Sequence, residues 1–314
     1  MGSMHTGLED IPNAQDRLAA YFVERVKGGV GMIITGGYSP NDEGGSGAQV
    51  STPAHAEAHR RVTQAVHEAN PDTKICLQIL HAGALARTPH CVSPSGVKSR
   101  IAQYTPQALD EAGIQKQIDD FVQCARMAQL AGYDGVEIIG SAGYLISTFL
   151  VEKTNLRTDD WGGSWERRMR FALEVVRRIR AAVGREFILI FRIAAMDMLE
   201  GGMAWHEVVS LAQALEQDGV DIISTHFCWH ESPVPTIATM VPRAAFTQVT
   251  GRLRRELTVP LITSNRINMP DVAEAVLSRG DADVVSLARP MLADPEWTKK
   301  AAQGLESEIN TCIA

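Results

Sequence analysis

The sequence predicts an α/β protein built as a single (β/α)8 TIM barrel over residues 1–314. Short apolar runs of strand length alternate with longer amphipathic segments, which is the pattern of repeated strand and helix units around a parallel sheet. The runs number eight when a stub at 1–4 is counted, and eight strands close such a barrel. No linker or low-complexity tract interrupts the series, which favours one domain over two.

The predicted strands are short and mostly apolar, and each is followed by a segment with helical spacing. They lie at 1–4, 30–35, 74–80, 134–140, 186–193, 220–226, 259–264 and 283–288. Two of the intervening segments show a clear apolar stripe on one helix face. The stripes consist of Ile114, Ile118, Phe121, Val122 and Ala125, and of Phe171, Val175, Val176, Ile179 and Val183. We therefore expect helices to cover the outside of the barrel.

Two helix starts are predicted from capping residues that precede a proline. Thr52 stands before Pro53, and Asp294 stands before Pro295. A side-chain oxygen at the N-cap accepts a free N–H of the first turn, and proline suits the first helical position. We expect helices to begin at these two prolines.

Composition and charge argue against several classes of function. The chain has 45% hydrophobic residues, a formal net charge of -7 and no basic stripe, so neither nucleic acid nor an anionic membrane surface is expected as a partner. The longest apolar runs, such as 187–191, are far shorter than the ~20 residues that a membrane-spanning helix needs. Five scattered cysteines without a Cys-x-x-Cys pair favour a reducing, cytoplasmic location.

The functional site is expected at the carboxyl ends of the strands, where barrels of this kind carry their chemistry. The longest loops follow the second, third and fourth strands, at 36–53, 81–112 and 141–164. Loops of this length inside a compact domain are usually functional. His55 and His59 lie four positions apart after the first loop, but no third ligand is evident, so a solvated helix face is expected there and not a metal site.

Polar side chains near the strand ends are the first candidates for the site. Gln78 and His81 end the third strand, either as ligand contacts or as buried side chains that bond to the backbone. Arg192 interrupts the apolar run at 187–196, where an unpaired guanidinium would be very costly. Arg192 is therefore expected to face an anion or a polar ligand edge, or else to pair with an acid.

Two further pairs lie at the same rim. Arg266 and Arg289 follow the last two strands, where barrels often bind a phosphate; the alternative is that they cap neighbouring helix C-termini. Tyr144 follows the fourth strand and His230 the sixth, so both project over one rim. A tyrosine stays protonated at neutral pH and suits a general acid, although a packed ring with its hydroxyl on a carbonyl is the alternative.

Several ordered segments resemble a known family. The run TNLRTDDWGGSWERRMRF at 154–171 follows an Asn-x-Arg-x-Asp-x-aromatic-Gly-Gly-Ser-x-x-x-Arg pattern, and MGSMHTGLE at 1–9 and LQILHAG at 77–83 match two strands of that family. WHESPVPTIATMVPRAAF at 229–246 is specific to one branch. By these residues the chain resembles, over essentially its whole length, the Old Yellow Enzyme family of FMN barrels, and within it the bacterial 2,4-dienoyl-CoA reductase branch.

The resemblance implies an FMN site at the strand ends, formed by Ser3, Met4, Gly36, Gln78, Arg192, Arg266, Ala288 and Arg289. Ser3 and Met4 would contact the flavin through their backbone, and Gly36 would allow its close approach. Gln78 would bind the pyrimidine edge, while Arg192 would face N1 and the C2 carbonyl, where its charge favours the reduced anion. Arg266, Ala288 and Arg289 would hold the phosphate.

The implied reaction is the reduction of an activated C=C bond, above all that of a 2,4-dienoyl-CoA in fatty acid oxidation. FMN would give hydride from N5, Tyr144 would be the proton donor, and His230 would be its hydrogen-bonded partner. Lys153, Glu231 and Ser232 would line the site of the acyl-CoA substrate.

Other functions stay open. Another ene-reductase or an amine dehydrogenase of the same family would share the barrel, although residues 1–10 contain no cysteine that could link a flavin. A flavin-free aldolase or sugar-phosphate isomerase barrel is less favoured, because no predicted strand ends in the lysine that would mark an aldolase. A non-catalytic barrel fragment is the alternative from another class.

The resemblance also implies that the chain is part of a longer enzyme. The first strand would be cut short, leaving an unpaired edge, and residues 1–314 would end before iron-sulfur and FAD/NADPH domains. Cys312 would be a [4Fe-4S] ligand only in a longer chain that supplies the other cysteines. Ala84 and Cys228 depart from the family pattern, so the contacts of their two loops are expected to differ.

Overall fold

The computed structural model describes residues 1–45 and 48–313, so part of the predicted loop at 36–53 lies outside the described residues. The described strands, in chain order, are β1 (Met32–Tyr38), β2 (Lys74–Ile79), β3 (Val92–Ser93), β4 (Gln107–Ala108), β5 (Gly135–Gly140), β6 (Ile188–Met196), β7 (Ile222–Phe227), β8 (Leu261–Thr263) and β9 (Val284–Val285). A parallel sheet runs in the order β1-β2-β5-β6-β7-β8-β9, and β3 and β4 form a separate small pair.

Residues 1–4 occupy the gap between the two edge strands of this sheet. The Ile34 N–H donates to the Met1 carbonyl at 3.0 Å, and the Gly2 N–H donates to the Leu287 carbonyl at 2.9 Å. The predicted stub therefore bonds to both sides, and the curled sheet closes as a (β/α)8 barrel. The expectation of an unpaired edge is wrong for these residues, because their backbone groups fill it.

The other predicted strands are confirmed, but several of their bounds differ. β1 continues to Tyr38, so Gly36 lies inside the strand and not in the loop that follows it. β8 and β9 end earlier than predicted, the first of them at Thr263. Asn265 and Arg266 have positive φ angles of 73° and 59°, a left-handed turn that follows β8 and that residue type alone does not reveal.

Alternation along the strands fills the barrel in layers. The lower layer is apolar and buried, and it consists of Ile34, Cys76, Ile190 and Ile262. Two residues further along β2 and β6 the same face carries Gln78 and Arg192, with Glu137 in register beside the first and Ser224 beside the second. A polar layer at the carboxyl ends of the strands thus rests on an apolar one.

The described α-helices are α1 (Ala14–Lys27), α2 (Pro53–Ala69), α3 (Glu111–Leu130), α4 (Leu145–Leu150), α5 (Trp165–Val183), α6 (Trp205–Gln217), α7 (Thr247–Arg254), α8 (Pro270–Ser278), α9 (Arg289–Ala293) and α10 (Trp297–Ala302). The two predicted apolar stripes lie on α3 and α5 and are buried, apart from the half-buried Val122. Within the described ranges, no helix combines the length and the apolar composition that crossing a bilayer requires.

The first predicted helix start is confirmed, and the second is wrong by two residues. The Thr52 hydroxyl accepts the His55 N–H at 3.2 Å, and α2 begins at Pro53. α10 begins at Trp297 instead of at the predicted proline. The Asp294 carboxylate accepts two N–H groups, from Glu296 at 3.0 Å and from Asn310 in the C-terminal segment at 2.9 Å. It therefore connects two segments of the chain in addition to capping a turn.

The expected solvated face of α2 is wrong for His59. This side chain is only 3% exposed, its Nδ1 lies 2.8 Å from the Tyr133 hydroxyl, and the Tyr38 ring packs against it at 4.7 Å between centroids. His55 Nδ1 accepts the Ser51 N–H at 3.2 Å. No group of three His, Cys, Asp or Glu side chains converges as a metal site in residues 1–45 and 48–313.

Candidate active site

A chain of hydrogen bonds fixes the amide of Gln78 inside the barrel. The amide nitrogen donates to Glu137 Oε1 at 2.6 Å, and its oxygen accepts the Ser3 hydroxyl at 2.9 Å. Gln78 and Glu137 are 3% and 1% exposed, so water does not compete for these bonds. The amide therefore presents one fixed orientation at the carboxyl end of β2. Glu137 was missed by sequence reasoning, and its signal was a carboxylate on a strand that is otherwise apolar.

Arg192 is half-buried on β6, and its Nη1 lies 3.3 Å from the Ser224 hydroxyl. Among the residues that the structure describes, no carboxylate lies within ion-pair distance of its guanidinium. Of the two predicted alternatives, pairing with an acid is therefore not what these residues do. The charge instead faces a cavity of about 510 Å³ at the carboxyl ends of the strands.

We call this space the central cavity. Its wall includes Gly2, Ser3, Met4, Arg192, His226, Ser264, Asn265, Arg266, Ser286, Ala288 and Arg289. It thus collects most of the residues predicted to hold a cofactor. Gln78 is not one of the wall residues, but its amide oxygen accepts the hydroxyl of Ser3, which is one of them. Gly36 lies apart from the wall: a Cβ there would stand 3.0 Å from both the Met4 carbonyl and a Glu9 carboxylate oxygen. A side chain at this position of β1 would therefore crowd the Met4 carbonyl.

The two predicted phosphate-binding arginines contact a loop that borders the central cavity. Arg266 Nε donates to the Val241 carbonyl at 2.8 Å, and Arg289 Nη2 donates to the Ile237 carbonyl at 3.0 Å. The alternative in which they cap neighbouring helices is wrong, since the carbonyls that accept these bonds belong to the 237–241 loop. Both side chains border the cavity while they hold this loop.

Tyr144 and His230 meet at the rim although 86 positions separate them. Tyr144 Oη lies 2.8 Å from His230 Nε2, and the rings meet edge to face with centroids 5.1 Å apart. Burial raises the pKa of the Tyr144 hydroxyl, against a smaller lowering by Arg192, and burial lowers the pKa of His230. Both groups are therefore neutral at pH 7, and the tyrosine keeps its proton.

A second space, which we call the side cavity, opens beside His230 with a volume of about 180 Å³. Lys153 and Glu231, two of the three residues predicted for the acyl-CoA site, line this cavity, whereas the third, Ser232, lines the central cavity and donates to the Met198 carbonyl at 2.9 Å. Their role in substrate binding stays a prediction. The Glu231 carboxylate accepts the Arg100 N–H at 3.0 Å and pairs with its guanidinium at 3.5 Å. This ion pair joins two loops across the mouth of the side cavity.

His226 is a second group that sequence reasoning missed. It lies on β7 two positions after Ser224, so alternation places it on the same inward face of the strand. Its Nδ1 is buried and has no hydrogen-bond partner among the described residues. Burial, and to a smaller extent the positive charge of Arg192, hold the pKa of the His226 ring well below its usual range, so the ring is neutral. The period-two pattern of β7 was the available signal.

His81 and Cys312 complete the predicted set. His81 is 1% exposed and its Nδ1 accepts the Gly83 N–H at 3.1 Å, which is the backbone-bonding alternative. Cys312 is half-buried near the end of the described chain, where its carbonyl accepts the Asn268 side-chain amide at 2.7 Å. Its role as a cluster ligand stays a prediction about a longer chain.

Known proteins resemble this chain over nearly all of its length. It is 38% identical to a metal reductase of Desulforamulus reducens, over 100% of this chain and 48% of that protein, and 34% identical to an NADH oxidase of Thermoanaerobacter brockii, over 96% and 48%. The chain spans about half the length of these relatives. A solved structure of 2-naphthoyl-CoA reductase with 2-naphthoyl-CoA superposes with a TM-score of 0.91 at 29% identity, over 98% of this chain and 49% of that one.

The family model that matches is described as the NADH:flavin oxidoreductase / NADH oxidase family, and it covers residues 1–308. This match confirms the predicted FMN-barrel family, whereas the 2,4-dienoyl-CoA reductase branch stays a prediction. Both the barrel and the residues gathered at its carboxyl end agree with that assignment. The chain therefore belongs to the NADH:flavin oxidoreductase / NADH oxidase family.

Proposed function

We propose that this chain is the FMN-binding barrel of a reductase that acts on the activated C=C bond of an acyl-CoA thioester, with 2,4-dienoyl-CoA as the preferred substrate. The observation that carries this proposal is the Tyr144–His230 pair, 2.8 Å between Oη and Nε2. His230 lines both the central and the side cavity, and together with Tyr144 it also lines a third cavity of about 890 Å³. A protonated, half-buried tyrosine within the field of the Arg192 charge suits protonation of a carbon that has gained negative charge.

The central cavity has the chemistry to hold FMN. Arg192 offers a guanidinium that no described carboxylate neutralises, and His226 offers a buried nitrogen without a partner. Such groups are costly in a barrel interior unless a polar ligand meets them. The residues that would hold the cofactor are Ser3, Met4, Gln78, Arg192, Arg266, Ala288 and Arg289. Bound FMN would supply hydride for the reduction.

The protein's own groups would orient the cofactor and stabilise charge. The Gln78 amide, held by Glu137 and Ser3, can donate and accept in one orientation only, which selects one edge of a planar ring. Arg192 places a positive charge at a fixed point of the wall and would stabilise an anion there. To bind a phosphate, the guanidinium groups of Arg266 and Arg289 would donate both to the phosphate and to the carbonyls of the 237–241 loop.

The proton would move from Tyr144 Oη to the substrate carbon. The raised pKa of this hydroxyl keeps it protonated at neutral pH, and the imidazole of His230 holds it by a hydrogen bond. When the proton leaves, the phenolate is stabilised by that bond and by the positive charge of Arg192, which acts to lower the pKa of the tyrosine. The thioester carbonyl delocalises the negative charge that hydride addition would leave on the substrate, and a carbon of the resulting dienolate would take the proton as the O–H bond of Tyr144 breaks.

The side cavity supports a substrate with an anionic handle. Its lining combines the apolar Leu85, Val97 and Leu199 with the basic Lys98, Arg100 and Lys153, against the single carboxylate of Glu231. Among the described residues Lys153 has no ion-pair partner, so its ammonium is available to a phosphate of coenzyme A. The 2-naphthoyl-CoA reductase structure contains a CoA ester, which favours the same substrate class here.

The proton donor is tested with the chain loaded with FMN and reduced by dithionite. Tyr144→Phe should keep the oxidised-flavin absorption bands and lose a factor of about 10² to 10⁴ in turnover of a dienoyl-CoA, since a positioned acid contributes that much. Tyr104→Phe is the matched control, because Tyr104 packs against the same small apolar cluster and should retain turnover. Undiminished turnover of Tyr144→Phe would remove this residue from the mechanism.

The substrate class is tested with two thioesters of one dienoic acid, carried by coenzyme A or by N-acetylcysteamine. Lys153→Met should raise KM for the CoA ester roughly tenfold and leave the short thioester unchanged, as expected for one lost charge-assisted contact. Lys299→Met is the control, because this exposed lysine on α10 pairs with Glu296 outside the cavities. Equal KM values for the two esters in the parent chain would favour an ene-reductase that does not bind coenzyme A.

A further inference from the structure

A buried aspartate lies directly behind the Tyr144–His230 pair. Asp197 follows β6 and is 4% exposed. One of its oxygens accepts the Trp229 indole N–H at 2.6 Å, and the other accepts the Met203 N–H at 2.7 Å. Among the described residues it has no cationic partner, so these two donors carry the stabilisation of its carboxylate. Gly202 permits the contact, since a Cβ there would stand 2.9 Å from an Asp197 oxygen.

Backbone bonds join the same two loops. The Cys228 N–H donates to the Met196 carbonyl at 2.8 Å, and the Trp229 N–H donates to the Asp197 carbonyl at 3.0 Å. Cys228 has a φ of 77°, a left-handed conformation that is strained for a residue other than glycine. The turn that directs Trp229 inward is therefore strained and is held by its surroundings.

Trp229 also lies against the segment that carries Tyr144. The indole ring covers Gly143, where a Cβ would lie 2.9 Å from a ring carbon, and Gly143 has a φ of 90°. The His230 N–H donates to the Ala142 carbonyl at 3.2 Å. The Trp229 indole thus contacts Gly143, the residue before Tyr144. Trp229 is itself the residue before His230, so one ring lies between the two segments.

We propose that Asp197 and Trp229 are positioning residues that hold the Tyr144 hydroxyl and the His230 imidazole at hydrogen-bonding distance. A carboxylate accepts the indole N–H more strongly than a neutral carbonyl does, so it fixes the rotation of the ring. The ring then fixes the spacing between the two loops. The expected effect on turnover rests on the proposed function. The expected effect on the geometry of the pair does not depend on that function.

The experiment reads His230 directly by NMR of ring-labelled histidine, assigned with His230→Gln. In Trp229→Phe the indole N–H is lost and the loops separate, so His230, which is an exposed residue whose ring packs against Tyr144, loses the cover of that ring. Its titration midpoint should therefore rise towards that of a free histidine, both with and without FMN. Tyr144 bonds to His230, and His226 interacts with it electrostatically. The other titratable or charged groups that line a cavity with His230 are His5, Glu9, Asp10, Arg87, Lys98, Arg100, Lys153, Arg192, Cys228, Glu231, Arg266 and Arg289, and this substitution changes none of them.

Turnover provides the second readout. Trp229→Phe should lower kcat about tenfold with KM within about twofold, because a misplaced acid affects the reaction step more than binding. Asp197→Asn keeps a carbonyl oxygen for the indole, and it should shift His230 less than Trp229→Phe does. If Trp229→Phe does not fold, Asp197→Asn must still move the titration midpoint of His230, or the proposal is overturned.

Trp161→Phe is the matched control. The Trp161 indole also donates to a carboxylate at 2.6 Å, that of Glu111, and Trp161 lines neither cavity. A His230 titration that is unchanged in Trp229→Phe, or that moves equally in Trp161→Phe, would show that the bond is structural only. A shift in the titration of a protein without reductase activity would support the positioning and contradict the proposed function, so the two failures are separable.

Discussion

The two ends of the barrel differ in how their charged side chains are paired. At the amino ends of the strands, an aspartate precedes each of three strands and accepts the backbone N–H at the start of a neighbouring strand. These bonds join Asp134 to Ile75 at 2.8 Å, Asp221 to Leu189 at 2.8 Å and Asp283 to Leu261 at 2.9 Å. Each carboxylate thus accepts a strand N–H at the point where the backbone hydrogen bonds between the two strands begin.

A cation accompanies each of these aspartates. Lys74 lies 3.7 Å from Asp134, Arg180 lies 2.5 Å from Asp221, and Arg254 lies 2.7 Å from Asp283. Every member of the set therefore has both a backbone donor and a charged partner. This end of the barrel is arranged for stability.

The carboxyl end leaves comparable groups without such partners. Among the described residues, Arg192 and Lys153 have no carboxylate within ion-pair distance, His226 has a buried nitrogen with no partner, and Asp197 is buried without a cation. Unsatisfied groups reduce stability, and they persist where a ligand or a reaction requires them. The contrast separates residues that hold the barrel from residues that act.

Opposite pH dependences of stability are the largest effect expected from this contrast. Burial raises the pKa of Asp197 to about 6, whereas the Arg254 guanidinium lowers the pKa of Asp283. A carboxyl whose pKa is raised by folding stabilises the folded state below its pKa in the unfolded state. This stabilisation is lost as pH rises through its pKa in the folded state. Between about pH 4 and 7, Asp197→Asn should therefore gain up to about 3 kcal/mol relative to the parent protein.

Asp283→Asn should show the reverse. A carboxyl whose pKa is lowered by folding stabilises the folded state above its pKa in the unfolded state, and this stabilisation is lost as pH falls through its pKa in the folded state. This variant should therefore be destabilised at pH 7 and should approach the parent as the pH falls below about 4, the ordinary value for an aspartate. Urea unfolding across this range measures both differences. Parallel pH profiles of the two variants would contradict the contrast between the ends.

Removing the cavity charge should weaken cofactor binding without a loss of stability. Arg192 makes one hydrogen bond, to Ser224 at 3.3 Å, and no ion pair with a described residue, so Arg192→Met should leave the free energy of unfolding unchanged or raise it. FMN affinity should fall about 30-fold to 100-fold, which corresponds to one charged hydrogen bond of about 2 to 3 kcal/mol. Fluorescence quenching of FMN measures the affinity. A loss of stability in the cofactor-free protein would place Arg192 with the supporting residues instead.

Much of the fold could be predicted because it depends on local patterns. The apolar strands, the stripes on α3 and α5, and the Thr52 cap follow from side-chain periodicity and from one hydrogen bond. The start of α10 could not be predicted, since Asp294 also binds a segment 16 positions later. The burial of His59 depends on Tyr38 and Tyr133, which are close in space and distant in sequence.

The site could be predicted as a set of residues more readily than as a set of contacts. The family pattern selected Tyr144 and His230, and β–α alternation placed them at one rim. The family pattern could not reveal that Arg266 and Arg289 hold the 237–241 loop, because that loop has no periodicity and its position depends on long-range hydrogen bonds. His226 was visible in the alternation of β7, but a histidine in a strand is more often a satisfied core residue.

The smallest expected effect is the loss of one supporting aspartate. Asp221→Ala removes the acceptor of the Leu189 N–H and the partner of Arg180, so the free energy of unfolding should fall by about 2 kcal/mol. Urea unfolding of the cofactor-free protein measures this loss. FMN affinity should stay within about twofold of the parent value, because Asp221 stands at the amino end of β7 and the central cavity lies at the carboxyl end.

Asp221→Asn is the matched control, since its amide oxygen can still accept the Leu189 N–H while the charge is lost. It should cost about half as much as Asp221→Ala, and the difference between the two variants measures the backbone bond alone. A fall in FMN affinity that follows the fall in stability through both variants would mean that the two ends are coupled. Unchanged affinity in both, set beside the opposite result for Arg192→Met, would mean that stability and cofactor binding reside at opposite ends of the same strands.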